Sequence, residues 1–203
     1  MERSDLPARF PPPYAVEDDS ELAWLQRAAR SGLTIAPMAV VPVAVETTFY
    51  QFNNLPEQLR RLYGGVATDD PDEDDLEELE AEAMTLVLGH TLLDEVIEGL
   101  FEALDGLPER LLVRRADADG LSAGRGRETL LAVKRVWADD WRADALAGRL
   151  REGHGLAPLA RPLLVHTASL EREPEPLRLD GSPALLAYHD DEGRLARLTR
   201  RDA

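Results

Sequence analysis

The sequence predicts an α/β fold, with α+β as the alternative, in which helices cover a small mixed sheet. Three observations support this prediction. An apolar fraction of 44% in 203 residues is enough for a buried core. Amphipathic stretches with helical spacing alternate with short apolar runs rich in β-branched residues. Glycine and proline separate most of these stretches, as is typical of turns between elements.

Composition excludes several classes of protein. The net charge of −16 argues against general binding of nucleic acid or anionic membranes. The absence of cysteine excludes disulfides, a thiolate nucleophile and a cysteine-ligated metal site. No apolar run has the length of a membrane span, and the first residues lack the pattern of a signal peptide. We therefore expect a cytoplasmic protein that binds neither membranes nor nucleic acid.

The first third of the chain predicts an arm, two helices and one strand. Residues 1–17 are rich in proline and predict a flexible arm. Asp18, Asp19 and Ser20 suit a helix N-terminus, and Gly32 suits its C-terminal end. The run at 39–41 predicts a buried strand. An aromatic helix is then predicted over residues 47–59.

An acidic segment follows. From Asp69 to Glu82 the chain has ten carboxylates in fourteen residues. Like charges repel one another, so we expect a mobile loop over 66–76 that leads into a helix. The simplest interpretation is a solvated acidic face. The alternatives are a metal-binding or catalytic site of paired acids, and a surface over Asp69–Glu82 that a protein partner contacts. We predict no metal bound by this chain alone. Residues 92–104 then form a clear amphipathic helix.

The stretch from Leu111 to Trp137 is the strongest candidate for a binding site. A buried strand over 111–113 leads into an arginine pair and a segment rich in glycine. Arginine forms two parallel hydrogen bonds with a phosphate or carboxylate, and glycine lets backbone N–H groups approach an anion. The candidate binding residues are Arg114, Arg115, Gly120, Gly124, Gly126 and Glu128. The alternative is an ordinary strand–turn–helix connection with solvent-facing arginines.

The rest of the chain predicts further α/β elements. Residues 128–151 fit either one helix or a strand followed by a helix, and 162–167 fit a short buried strand. The segment 169–203 predicts a C-terminal hairpin or tail. His166 is either a structural histidine or a residue facing a cleft. We predict the strand at 111–113 beside a strand at 40–41, with the helix at 92–104 packed across both.

Three segments occur in an order that a known family shares. They are LAWL at 22–25 with GLTIAP at 32–37, VRR at 113–115 with SAG at 122–124, and ETLLAV at 128–133 with VWA at 136–138. Over roughly residues 18–168 the chain resembles the N-terminal nucleotide-binding domain of the phosphoenolpyruvate synthase and pyruvate phosphate dikinase family. The resemblance implies a single ATP-grasp-like first lobe, with ATP or ADP as its cofactor.

The chain departs from this family at the positions that contact the nucleotide. Arg114 matches the family's arginine, but Asp18 falls on its lysine, and Arg115 and Ala116 replace its paired serines. A charge at ~4 Å contributes about 4 kcal/mol at an effective dielectric of 20, so the exchange of lysine for aspartate strongly opposes phosphate. The family's second lobe, with its metal-binding acids, has no counterpart in this sequence.

We therefore expect a truncated and degenerate relative that acts as a nucleotide-binding, anion-binding or regulatory module. ATP or ADP would bind weakly or no longer, and no catalytic residue is assigned. Phosphoryl transfer needs cations and metal ions that the sequence does not supply. Two alternatives remain. One is half of a split phosphotransferase that needs a partner polypeptide, and the other is an acidic protein-interaction module.

Overall fold

The computed structural model describes residues 8–9, 20–67, 71–116, 118–158, 160–170 and 173–201. Helices and strands within these ranges form a mixed α/β fold, which confirms the predicted class. The helices are α1 (Glu21–Arg30), α2 (Val43–Phe52), α3 (Leu55–Leu62), α4 (Glu73–Gly89), α5 (Asp94–Leu104), α6 (Arg127–Ala138) and α7 (Ala143–Arg151). The strands are β1 (Ala8–Arg9), β2 (Met38–Val41), β3 (Arg110–Arg115), β4 (Gly120–Gly124), β5 (Leu163–Thr167), β6 (Glu175–Leu177), β7 (Leu185–His189) and β8 (Leu195–Arg200).

The central sheet has the strand order β1-β2-β5-β3-β4. β1 runs parallel to β2, and the other neighbours are antiparallel, so the sheet is mixed as predicted. The predicted direct pairing of the strand at 111–113 with the strand at 40–41 is wrong, because β5 lies between them. β5 comes from a later part of the chain, and its position between β2 and β3 depends on contacts between distant residues. Apart from β1, the predicted arm at 1–17 lies outside the described residues.

One face of the central sheet packs against helices from the middle of the chain. Leu111, Val113 and Val165 point from the strands into this core, and Phe49 and Trp137 reach it from the helices. α5 lies against β2, so the predicted packing of this helix on the sheet is confirmed for that strand. Within this layer the rings of Phe49 and Trp137 contact each other, with centroids 5.1 Å apart.

The opposite face packs against α1 and a second sheet, which has the strand order β6-β7-β8. Leu25 of α1, Leu164 of β5 and Leu198 of β8 share this second core. The hairpin predicted for the C-terminal segment therefore forms as β7 and β8, with β6 beside it. Residues on both sides of position 168 contribute to this second core.

Local sequence signals set the ends of the early helices. Ser20 caps α1 by accepting a hydrogen bond from Ala23 N at 3.3 Å. Gly32 follows α1 with φ +92°, a conformation that glycine adopts without strain. The single aromatic helix predicted for 47–59 is wrong. The chain breaks between α2 and α3, where Asn54 takes a left-handed φ of 52°.

The acidic segment is more ordered than the sequence predicted. The loop predicted for 66–76 is too long, because Asp72 caps α4 by accepting from Asp74 N at 3.0 Å. Leu76 is buried and fixes the first turn of α4. The carboxylates of Asp74, Glu77 and Glu78 remain exposed. Residues 68–70, and with them Asp69, lie outside the described residues.

Residues 128–151 form neither of the two predicted arrangements. α6 ends at Ala138, a 3-10 turn follows over Asp139–Trp141, and α7 begins at Ala143. The side chain of Lys134 donates hydrogen bonds to Leu88 O and His90 O at the C-terminal end of α4. A cation at this end of a helix is favourable. None of the described helices has the length and apolar composition of a membrane span.

Candidate functional site

The glycine-rich segment predicted as a loop is a strand. Gly120 lies opposite Arg114, and Gly124 lies opposite Arg110, in the antiparallel β3–β4 hairpin. Of the three candidate glycines, Gly126 alone has a backbone conformation that L-residues rarely adopt, with φ +91°, and it directly precedes α6. The N–H and C=O groups of Gly124 already bond to the side chains of Glu128 and Thr129, so they are not available to bind an anion.

The glycines of β4 allow close packing. A Cβ on Gly120 would lie 2.8 Å from Arg114 Cβ and 2.9 Å from Val113 O. At Gly124 a Cβ would lie 2.8 Å from Glu128 Oε2. That carboxylate oxygen accepts a hydrogen bond from Gly124 N at 2.8 Å, and Thr129 Oγ1 donates to Gly124 O at 2.9 Å. Glu128 therefore joins the end of β4 to the first turn of α6.

We expect Gly120→Ala to lower the free energy of unfolding by about 1–3 kcal/mol, because the new methyl group overlaps a backbone oxygen that cannot move freely. Gly148→Ala is the matched control. Gly148 lies in α7 with open space around it, so alanine there should raise stability by about 0.5–1 kcal/mol. Urea unfolding of both variants measures the difference. If the free energy of unfolding of Gly120→Ala equals that of the wild type, the hairpin tolerates a wider strand separation.

Arg114 is fully buried between the central sheet and α1. Its Nη1 and Nη2 donate to the two carboxylate oxygens of Glu21, each at 2.6 Å. Its Nε donates to Nε2 of His166 at 2.9 Å. This bidentate pair has the geometry with which arginine binds a phosphate or carboxylate ligand. Glu21 therefore occupies the position that an anionic ligand of Arg114 would need.

Arg115 points to the opposite face of the sheet, which confirms the alternation expected along a strand. Its guanidinium donates to the two carboxylate oxygens of Glu46 at 3.1 and 2.9 Å. It also donates to Asp140, and to Arg161 O at 2.9 Å. Only 4% of Arg115 is exposed. Both interpretations of this stretch, an anion-binding site and a connection with solvent-facing arginines, required an accessible guanidinium. Neither Arg114 nor Arg115 has one.

Burial sets the protonation behaviour of the Arg115 cluster, which comprises Arg115, Glu46, Asp140 and Arg149. Burial raises the pKa of Glu46 and that of Asp140, and the neighbouring arginines offset this only in part. Burial lowers the pKa of Arg115, but its hydrogen bonds and ion pairs outweigh this and raise it. A guanidinium does not lose its proton in the accessible pH range, so the two carboxyl groups are the ones that titrate.

Arg149 extends this cluster into the helical layer. It donates to Asp140 O, and its guanidinium carbon lies 5.1 Å from the centroid of the Trp141 ring. Burial lowers the pKa of Arg149. The Trp141 indole N–H donates to Tyr50 Oη at 2.8 Å. The Arg115 cluster is therefore in contact with the aromatic core and connects α7, the 3-10 turn and α2.

His166 is a neutral structural partner of Arg114. Burial, together with the Arg114 charge, lowers its pKa to about 4. Its Nδ1 lies 2.9 Å from Thr167 O, so it carries the proton that this carbonyl accepts, while Nε2 accepts from Arg114. This histidine orients the Arg114 guanidinium and does not face a cleft.

The sequence interpretation missed the carboxylates that pair with the two arginines. Glu21 follows the N-cap of α1, where an exposed acid is common, so nothing local marks it as buried. Glu46 gives a clearer signal, since it lies in the apolar run before Phe49 that forms the buried side of α2. Asp140 lies in a short turn that the sequence did not predict.

Several open clefts lie away from the two buried arginines. One of about 460 Å³ lies where Arg110, Thr167 and Ser169 meet the turn at 190–194. Another, of about 440 Å³, is lined by Gln58, Glu82 and His90. In the described parts of the chain, no three histidine or acidic side chains converge as metal ligands would.

The comparisons with known proteins leave the chain without an assigned family. No protein-family model matches the sequence, and no curated protein matches it.

Proposed function

We propose that this chain is a non-catalytic, degenerate relative of the nucleotide-binding lobe of the phosphoenolpyruvate synthase and pyruvate phosphate dikinase family, and that it acts as a regulatory binding module. The observation that carries this proposal is the buried bidentate pair between Arg114 and Glu21. An internal carboxylate fills the position of the anion, so the module needs no nucleotide to hold its fold together.

The positions of the resembling segments support this proposal. The segment that starts α1 and the segment that contains Arg114 are far apart in sequence, yet Glu21 and Arg114 lie in direct contact. The fold thus brings together the two segments that the resemblance assigns to nucleotide binding. Asp18, which falls on the family's lysine, lies outside the described residues. A split phosphotransferase would have to displace Glu21 before Arg114 could meet a phosphate.

The exposed face of α4 is the surface that we propose for the partner of this module. Asp74, Glu77 and Glu78 are exposed, and no basic residue lies in the last turn of the helix. Not every acid of the segment is available. Glu80 accepts a hydrogen bond from Ala143 N at 2.8 Å, and Glu73 pairs with Arg151. The available carboxylates favour a partner with an arginine-rich or lysine-rich surface.

Thermal unfolding tests the nucleotide part of this proposal. Ligands that bind the native state raise the melting temperature. We expect ATP, ADP, AMP and phosphoenolpyruvate, each with and without magnesium, to leave the melting temperature of the wild-type chain unchanged. We also expect no phosphorylation of pyruvate. A stabilisation by ATP that Arg114→Met abolishes would contradict the proposal, because it would mean that the nucleotide displaces Glu21.

A defined basic peptide tests the α4 surface. We expect an arginine-rich peptide to bind the wild-type chain and to lose most of its affinity for a variant with Asp74→Asn, Glu77→Gln and Glu78→Gln. The matched control changes three exposed acids of α5, Glu95, Glu98 and Glu102, to glutamine. The two variants lose the same amount of negative charge. Equal losses in calorimetric titrations would mean that the peptide responds to net charge alone and would contradict a specific surface on α4.

A further inference from the structure

A groove runs between the outer edge of β4 and the outer side of α6. It has a volume of about 270 Å³ and is lined by Leu121, Ser122, Ala123, Glu128, Leu131, Ala132 and Arg135. Among the strands that the structure describes, β4 is the last of the central sheet, so the groove lies beside an edge that no described strand pairs with. Leu131 is 48% exposed there, although it is a large apolar side chain. An open edge beside an exposed leucine is a surface that other strands can join.

The backbone of Ser122 faces the open edge. Residues opposite one another on antiparallel strands alternate between bonded and non-bonded pairs. Gly124 N donates to Glu128, and Arg125 N donates to Glu109 O at 2.9 Å, so the pair of Gly124 with Arg110 is non-bonded. By alternation, the Ser122 N–H and C=O also point away from β3. At Gly124 the same groups already bond to Glu128 and Thr129, so the edge is open around Ser122.

Two groups of opposite charge lie along the groove, one on each side of Leu131. Because α6 follows β4 directly and lies against it, α6 runs back along the strand. At about 1.5 Å per residue in a helix and about 3.3 Å in a strand, Leu131 lies level with Ser122. Glu128 lies on one side of Leu131 and Arg135 on the other. Along the groove, the order is therefore an acid (Glu128), a leucine (Leu131) and a base (Arg135).

We propose that this groove is the interface of a symmetric dimer, in which β4 pairs with β4 of a second copy. A two-fold axis beside Ser122 lets its N–H and C=O bond to the same groups of Ser122 in the other copy. The two Leu131 side chains then meet, and Glu128 of each copy faces Arg135 of the other. Glu128 keeps its bond to Gly124 through one oxygen and offers the second oxygen to the arginine.

The charges and the edge together favour a second copy over an unrelated partner. A two-fold interface must be self-complementary, because the same patch meets itself. An acid and a base placed on opposite sides of a central leucine satisfy this requirement. Arg135 interacts electrostatically with Asp139 of its own copy, but among the described residues it forms no direct ion pair, so its guanidinium can contact the partner copy. This inference does not depend on the proposed function.

Paired charge changes test the dimer directly. In a dimer of the Arg135→Glu variant, an acid of one copy would face an acid of the other copy at both ends of the groove. In a dimer of the Glu128→Arg variant, a base would face a base at both ends. We expect each variant alone to be monomeric in analytical ultracentrifugation at concentrations from about 1 µM to about 1 mM. An equimolar mixture restores an acid–base pair at both ends, so we expect it to form a heterodimer. Misfolding of either variant could not produce this recovery.

Leucine variants provide the second test. We expect Leu131→Asp to weaken the wild-type dimer about tenfold or more. Leu33→Asp is the matched control, since Leu33 is a comparably exposed leucine, at 39%, far from the groove. A wild-type chain that stays monomeric over the whole concentration range would overturn the proposal. So would a dimer that survives Leu131→Asp, or a mixture of the two charge variants that remains monomeric.

Discussion

Glu21→Ala should lower the free energy of unfolding by about 3–5 kcal/mol, because it leaves the buried Arg114 guanidinium without its counter-charge. Glu21 Oε1 also accepts a hydrogen bond from Leu198 N at 3.0 Å, so the change frees a buried N–H of β8 as well. Urea unfolding of the variant and the wild type measures this loss.

The same variant can be rescued by a small anion. Removing the Glu21 side chain beyond its Cβ leaves room for acetate next to Arg114. Acetate should therefore raise the melting temperature of Glu21→Ala more than that of the wild type. The double variant Glu21→Met with Arg114→Met is the control. Apolar replacement of both partners of a buried ion pair is often neutral, so it should be more stable than Glu21→Ala and should not respond to acetate. A double variant as unstable as Glu21→Ala would show that the carboxylate, and not the unpaired charge, accounts for the loss.

The elements that the sequence predicted well have strong local signals. The Ser20 cap, the strand at 163–167 and the hairpin formed by β7 and β8 follow from capping, β-branched composition and turn residues. The opposite directions of Arg114 and Arg115 follow from the period of a strand, which depends on no distant contact.

What the sequence could not predict depends on contacts between distant residues. β4 has the composition of a loop, because its glycines are required by the close approach of β3 and not by a turn. β5 inserts between β2 and β3, and no local signal sets the order of strands in a sheet. Glu21 is 93 positions from Arg114, so an acid at the start of a helix gave no indication that it neutralises the candidate anion-binding residue.

The same limit applies to the candidate site, because the carboxylates that neutralise its arginines come from distant parts of the chain. The sequence identified the arginine pair, and the structure places both arginines at the end of β3, buried on opposite faces of the sheet. The sequence did not show that Glu46 and Asp140 neutralise Arg115 on the helical side while Glu21 neutralises Arg114 on the other. The site therefore differs from the expected anion-binding site in its charge balance more than in its position.

Arg115→Met should lower the free energy of unfolding about as much as Glu21→Ala does, and the size of this loss should depend on pH. The variant leaves Glu46 and Asp140 buried without the guanidinium that both of them contact. We expect a loss of about 3–5 kcal/mol near neutral pH. Circular dichroism during urea unfolding, repeated across the pH range, measures it.

The direction of the pH effect follows from the raised pKa values of the two carboxyl groups. When the pKa of an acid is higher in the folded state, the folded protein binds more protons, so stability falls as pH rises from the ordinary carboxyl range through the raised pKa. Removing Arg115 raises both pKa values further. The loss caused by Arg115→Met should therefore be smaller near about pH 4 than near about pH 8. Arg142→Met is the control, because Arg142 pairs with Asp144 in solvent, and its stability relative to the wild type should not vary with pH in this way. An Arg115→Met loss that stays constant across this range would mean that Glu46 and Asp140 keep the same protonation state without Arg115, and would contradict the assignment of Arg115 as their counter-charge.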